Sequence, residues 1–323
     1  MKIKLKVLSP IHIGSGEEIA PTEYFIDYAN LRFNRLNMNS LFHDEKFKPF
    51  RERFINEAAK NRYIGNIIGD QSLLNRHILY SIKISPTARQ HVIYNKTNVK
   101  AFIKSAGRVY IPGSSIKGAV LSAIFWYVLK LNYNAQNESR KEQIQSYLKA
   151  KIRESSRAYD DLLKITFPWI IERKSAQENP KFTHWLDFSD SNLFLPQESL
   201  ELSLAKVKGA RRGGELPILY ECLKEDLVFE VEITRKNIKF NEEDILKIAH
   251  NFYLKVADKD GIQLPQEPYL LRLGQGSTAF STSLLILSEE LGISGYSIRA
   301  PRTRKRIDEN IPMGFVQISL QTF

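Results

Sequence analysis

Lys2, Lys4 and Lys6 alternate with Ile3, Leu5 and Val7, and a period of two marks a strand with one buried face. Pro10 and the glycines of Ile13-Gly14-Ser15-Gly16 stop this strand and open a loop that runs into a second strand-like stretch from Tyr24 to Tyr28. Phe50, Phe54 and Ala58 recur at four-residue spacing after Pro49, which suits the first turn of a helix. Leu79 to Ile84 and Arg108 to Ile111 read as strands, and Ser114 or Ser115 as the cap of a helix carrying Ile116, Val120, Ile124 and Tyr127 on one face. Asn137 to Thr166 is polar and helical in pattern, with Ile144, Leu148, Leu162 and Leu163 as candidate buried positions.

The second half predicts strands at Phe182 to Phe188, Leu200 to Val207, Leu216 to Cys222 and Leu227 to Thr234. A helix from Glu242 to Ala257 follows, with Ile245, Ile248, Phe252 and Val256 inward, then a strand from Tyr269 to Leu273, a helix from Ala279 to Glu290 and a last strand from Phe315 to Leu320. Two arrays of strands interrupted by single helices predict an α+β chain of two ferredoxin-like or RRM-like units. The expected division is an N-terminal unit over 1–135, an inserted helical layer over 136–180 and a C-terminal unit over 181–323.

A chain of 323 residues, 43% hydrophobic and 26% charged, has the composition of a folded globular protein with room for two cores. The longest apolar run, near Ala119 to Leu131, is too short for a membrane span, and the N-terminus lacks the apolar core of a signal peptide, so a cytoplasmic protein is expected. Cys222, the single cysteine, sits in an apolar stretch; neither a disulfide framework nor a cysteine zinc site can be built. The 47 Lys and Arg against 36 Asp and Glu leave a formal charge of +11. Such a surplus attracts polyanions and points to RNA, DNA, ribosomes or anionic lipid as the partner class.

Three glycine segments carry the candidate chemistry. Ile11-His12-Ile13-Gly14-Ser15-Gly16 can bring bare backbone N–H groups to a phosphate. Ile111-Pro112-Gly113-Ser114-Ser115-Ile116-Lys117-Gly118 joins a strand to a helix and gathers hydroxyls, a lysine and a helix N-terminus. It lacks the spacing of a Walker A loop, which argues against a nucleotide triphosphatase. Leu273-Gly274-Gln275-Gly276-Ser277-Thr278-Ala279, after Arg272, formally fits a dinucleotide fingerprint, but too little chain follows to supply the further parallel strands. Each segment also reads as an ordinary turn.

Two basic clusters fall in expected loops: Lys206, Lys208, Arg211 and Arg212, and Arg299, Arg302, Arg304, Lys305 and Arg306. Flexible cations there can follow a phosphate backbone, with Tyr296 and Phe280 as nearby stacking candidates. For catalysis, His12 is the one histidine in phosphodiester-like surroundings, and Asp187 and Asp190 follow a strand at a spacing too sparse for a two-metal site. No metal and no cofactor is expected.

The first segment resembles the opening His-Ile-Gly-x-Gly element of the RAMP superfamily of CRISPR RNA-binding proteins, and the second resembles its Ile-Pro-Gly-Ser-Ser-x-Lys-Gly element. Arg272 to Thr278 and Met313-Gly314-Phe315-Val316 are similar to that superfamily's C-terminal glycine loop and last strand. Gly16-Glu17-Glu18 through Pro21, Glu23 and Tyr24 to Asp27 resembles the crRNA 3′-end-proximal subunit of type III-A, Csm-type, antiviral effector complexes. The resemblance implies a non-catalytic RNA-binding cap whose partners are crRNA, other Csm-type subunits, above all the repeating backbone RAMP subunit, and target RNA, with no membrane. Backbone subunits carry a target-cleaving aspartate in the early loop; Asp27 is expected inside a strand, so that role is not carried over. The alternatives are a metal-independent crRNA-processing endoribonuclease using His12, a target-cleaving backbone subunit, and a general RNA-binding or ribosome-associated protein.

Overall fold

A computed structural model describes residues 1–323 apart from 136–137, 153–184, 209–214, 237, 263–268, 277–280, 282, 294–304, 308–310 and 322–323. The opening strand, Lys2–Val7, lies at the centre of an antiparallel five-stranded sheet. Phe315–Leu320 and then Leu270–Arg272 flank it on one side, Val228–Arg235 and then Leu186–Phe188 on the other. The period-two pattern is obeyed: Ile3 faces Val231, and Leu5 sits between Phe229 and Ile318, all buried. Two helices cover this face, Gly113–Ala135 and Glu242–Lys259, which meet where Trp126 lies 5.6 Å from Phe252 and Tyr253 donates to the Ala119 carbonyl at 3.1 Å. Each large side chain sealed here contributes about 1.5–3 kcal/mol.

The Glu242–Lys259 helix forms where its apolar spacing predicts, with Ile245, Ile248, Phe252 and Val256 buried. Asn241 caps it by accepting from the Asp244 N–H at 2.7 Å, and Glu242, Glu243 and Asp244 place negative charge at the positive end of its dipole. The Gly113–Ala135 helix is apolar and 23 residues long, by length and composition enough to cross a bilayer, but Ile116, Val120, Ile124 and Leu129 are sealed in the core. Glu138–Ile152 supplies the described part of the expected helical layer, with Ile144 and Leu148 fully buried; Leu162 and Leu163 lie outside the described residues.

The second sheet runs Gly14–Ile19, Val99–Phe102, Glu215–Leu223, Leu200–Lys208, Ile78–Ile84, Arg32–Leu36, Tyr24–Asp27. It is mixed, since Leu200–Lys208 is parallel to Ile78–Ile84 and Glu215–Leu223 is parallel to Val99–Phe102. Its two edge strands are joined by the single turn Pro21–Glu23, and Tyr24 donates across the gap to the Thr97 carbonyl at 3.0 Å, so the sheet curls back on itself. Short helices between Met38 and Asn75 cover one end over a separate apolar cluster that includes Phe25, Leu41, Phe47 and Leu73.

Four expectations change. Gly14–Ile19, read as loop, is an edge strand. Pro49 lies in a 3-10 segment, Glu45–Phe50, and the helix proper begins at Arg51. Ser114 and Ser115 are inside their helix and do not cap it; the Gly113 N–H donates instead to the Asp190 carboxylate at 2.8 Å. Finally, both sheets take strands from 1–135 and from 181–323, so neither sheet is confined to one side of the expected division. The fold is α+β, and the predicted strands form at their expected places among the described residues, but Arg32–Leu36, Val99–Phe102 and Lys305–Ile307 are strands that the pattern did not predict, the last within a basic cluster expected to be a loop.

Gly113 and Gly118 provide a test of this packing. A Cβ on Gly113 would stand 2.0 Å from the Phe188 carbonyl oxygen, whereas one on Gly118 meets nothing within 4 Å. Gly113→Ala is expected to destabilise by about 2–3 kcal/mol through overpacking. Gly118→Ala, exposed in a helix, should stabilise by about 0.5–1 kcal/mol. Urea unfolding of the two variants checks both signs.

Candidate nucleic-acid interface

The first and third glycine segments are built against each other. Leu223 donates to the Ile11 carbonyl and Ile103 to the Ile13 carbonyl, both at 2.8 Å, which fixes the strand entry. Gln275 donates to the His12 carbonyl at 2.8 Å, and Gly274, at φ +72°, approaches so closely that a Cβ would stand 2.3 Å from that same oxygen. Only glycine fits there. Gly314 donates to the Pro10 carbonyl at 3.0 Å and brings the Met313–Gly314 element alongside.

His12 is 1% exposed. Its Nδ1 lies 2.8 Å from the Glu221 carbonyl oxygen, and its ring rests 4.7 Å from Tyr220 and edge-on to Phe102 at 6.1 Å. The ring is a packing and hydrogen-bonding element below the surface. That geometry corrects the acid–base role considered for it, because a ribose hydroxyl cannot reach a ring sealed in this way.

What reaches solvent is the backbone beyond it. Gly14 pairs with Phe102 and Glu18 with Lys100, so Ser15, Gly16 and Glu17 occupy the span of one partner residue, Ala101, and bulge out, with Gly16 at φ +89°. Gly14, Ser15 and Gly16 are exposed. Exposed main chain without Cβ shielding is a surface on which phosphate oxygens can be held. The acids beside it are occupied: Arg35 bridges Glu17 at 2.9 Å and Glu23 at 3.2 Å. Glu18 pairs with Lys100 and accepts from Asn98 at 2.8 Å, bonds that hold its carboxyl below the usual range.

Beneath this strand lies a residue that the sequence reading missed. Glu221 has no exposed surface, yet its carboxylate accepts from Lys104 at 2.6 Å, the Phe102 N–H at 2.9 Å and the Tyr80 hydroxyl. Burial, and then the neighbouring Glu221 charge, push the Tyr80 phenol up. An acid inside the apolar run Leu219 to Leu223 was the available signal, since a carboxylate is rarely buried without partners.

The second glycine segment serves a junction. Lys117 meets the Asp187 carboxylate at 2.6 Å, Lys236 takes its other oxygen at 2.6 Å, and the Ile111 N–H donates to Ser191 Oγ at 2.8 Å. The two lysines hold the Asp187 carboxyl below its ordinary range. With Asp190 on the Gly113 N–H, the chain's own carboxylates fill the place expected for RNA phosphate; Ser114 and Gly118 remain exposed, Ser115 half-buried. Arg272 is likewise corrected: it is buried, paired with Asp260, donates from Nε to the Met313 carbonyl at 3.0 Å and lies 4.8 Å over the Phe315 ring.

The described members of the two basic clusters, far apart in sequence, converge on paired strands and not on the loops expected for them. Leu200–Lys208 pairs with Lys305–Ile307, setting Lys206 opposite Arg306 and Val207 opposite Lys305. Arg306 donates to the Asp260 carbonyl at 2.9 Å. Arg211, Arg212, Gly276's neighbour Ser277, Arg302, Arg304, Phe280 and Tyr296 lie outside the described residues.

A family profile for the RAMP superfamily matches residues 4–279, and the chain belongs to that superfamily. Within it, the chain is similar to the CRISPR system Cms protein Csm5 of Streptococcus thermophilus, 28% identical over 308 residues that span 88% of this chain and 79% of the relative. It is 32% identical to the protein of the same name from Methanocaldococcus jannaschii over 137 residues, which span 39% of this chain and 31% of that relative. The fold is shared with a chain of the Csm-crRNA-target RNA ternary complex of a type III-A CRISPR-Cas system, determined by cryo-EM: TM-score 0.72, 22% identity, 99% of this chain and 100% of that chain. It is shared equally with T. onnurineus Csm5: TM-score 0.70, 22% identity, 97% and 99% covered.

Glu221→Ala, which strands Lys104 and the Phe102 N–H, is expected to lower stability by about 3 kcal/mol or more. Lys100→Ala, which breaks an exposed pair, should change it by less than about 1 kcal/mol. Denaturant midpoints of the two variants against the parent make the comparison.

Proposed function

We propose that this chain is a non-catalytic RNA-binding subunit of a type III-A Csm-type effector complex, capping the 3′ end of its crRNA. Its partners in this reading are crRNA, target RNA and other Csm-type subunits, first among them the repeating backbone RAMP subunit. The observation that carries the RNA grip is the pairing of the described members of the two basic clusters on neighbouring strands, with Lys206 opposite Arg306. Cations opposed on neighbouring strands form a positive ridge to which a polyanion is drawn. The likeness to Csm5 proteins supports the placement in a Csm-type complex. A subunit that accepts many guides has to hold phosphate and ribose and leave sequence to base pairing.

The side chains considered for chemistry are spent on structure, which supports a non-catalytic role. His12 is sealed under the glycine surface. Asp27 ends its strand and accepts the Ala29 and Asn30 N–H groups at 3.0 and 3.1 Å, while Asp187 and Asp190 hold the helix junction.

Binding of single-stranded RNA should fall by on the order of a thousandfold between 50 and 200 mM salt if about six phosphates are neutralised. Lys206→Ala with Arg306→Ala should flatten the slope by about one per lost phosphate contact. A flat parental titration rejects the reading. In co-expression with backbone subunits and crRNA the chain should co-purify, and its omission should expose the crRNA 3′ portion to added nuclease. Cleavage of RNA by the purified chain would contradict the non-catalytic role.

A further inference from the structure

Beside the Tyr24–Asp27 edge of the second sheet, a cavity of 490 Å³ opens between the Tyr24–Leu36 hairpin, the short helices and the end of the Pro86–Tyr94 helix. Tyr28, Tyr63, Tyr94, Asn66, Gln71 and Lys96 supply its aromatic and polar lining. Lys96 carries the only formal charge among the described lining residues. The acids adjacent in sequence to lining residues are turned elsewhere: Asp27 into its own turn, Asp70 onto the Ser72 and Leu73 N–H groups at the start of the Gln71–Asn75 helix.

Tyr94 is 84% exposed and Tyr28 48%, with Ile93 at 45% on the same rim. Three large apolar side chains left open around one cavity mark a binding site more often than chance exposure. Tyr63 is fixed as a wall, because its hydroxyl accepts the Ile26 N–H at 2.7 Å. The Lys96 ammonium sits 5.4 Å from the Tyr28 ring centre and 5.3 Å from that of Tyr63, donating to the Val92 and Ile93 carbonyls. An ammonium has three donors, so one remains for an anion at the mouth.

We infer that this cavity takes a single unpaired nucleotide. Its base stacks on Tyr94 and Tyr28, the Asn66 and Gln71 amides face its edge, and its phosphate lies beside Lys96. Flat aromatic faces, amides able to donate and accept to one base, and a lone cation match a nucleotide in each part. The volume is within the range of small-ligand sites, about 300–1,000 Å³. The inference rests on the RNA-binding reading only for the source of the nucleotide; a free mononucleotide has the same chemistry.

The test uses the full chain and three probes: a ten-nucleotide oligoadenylate, its abasic analogue with the same phosphates, and AMP. Tyr28→Ala with Tyr94→Ala is expected to weaken oligoadenylate binding roughly ten- to a hundredfold, the effect of losing a stacked base. Tyr94→Phe should keep it, and the abasic RNA should bind parent and variant alike. Both tyrosines are exposed, so the fold survives their truncation. If the parent binds both RNAs equally and the double variant does the same, the pocket is overturned while the phosphate grip stands. AMP saturation that depends on the tyrosines, without any RNA binding, upholds the pocket and overturns the RNA reading. If none of the probes binds, both fall. A double variant that binds oligoadenylate normally but no longer assembles with partner subunits makes the cavity a protein-docking site and rejects the nucleotide.

Discussion

A carboxylate with no exposed surface, Glu221, is the fixed point from which the exposed glycine surface takes its position. Desolvating such a charge costs several kcal/mol unless partners replace water, and here they come from distant segments: Tyr80, the Phe102 N–H and Lys104. The same residue's carbonyl faces His12, and the His12 carbonyl in turn accepts from Gln275. Two successive bonds therefore run from the residue of a buried acid to two glycine loops, and glycine at 274 leaves the last of them no slack. A pair of this kind adds little net stability over an apolar core, but it tolerates one arrangement only. Specific placement is what a surface made of bare backbone requires.

Period and capping rules made the regular elements legible. The opening strand, the four strands between residues 186 and 235 and the Glu242–Lys259 helix announce themselves by alternation or by spacing at three and four. The edge strand Gly14–Ile19 did not, because it is exposed along nearly its whole length and bulged, so no apolar period exists to read. The apolar cluster under the short helices was missed for a related reason: its members come from two short strands and several short helical turns, each too short to show a period.

The candidate site divides along the same line. That glycine segments matter is visible in the sequence, since small residues beside strands and helix starts are conspicuous. Which of them meet is a property of the sheet order, and it put the first against the third and left the second at a separate junction. Charge is legible as a sum but not as pairings. Lys117 and Arg272, both read as RNA contacts, prove to be partners of Asp187 and Asp260, acids 70 and 12 residues away. Nothing in a one-dimensional pattern distinguishes a lysine aimed at a phosphate from one aimed at an aspartate.

Those pairings decide where the surplus positive charge can act. On the outer face of the first sheet Lys2 opposes Glu232 and Lys4 opposes Glu230, with Ser319 and Gln317 on the next strand. That face is balanced in sign and presents amides, hydroxyls and charges where an RRM would present stacking aromatics. Cations meet instead on the far half of the Leu200–Lys208 strand, where Lys206 faces Arg306. Arg306 is held there by the Asp260 carbonyl, and Asp260 is itself locked by the buried Arg272. Arg272 thus acts from one layer below the surface, by holding in place the residue whose carbonyl fixes Arg306 opposite Lys206.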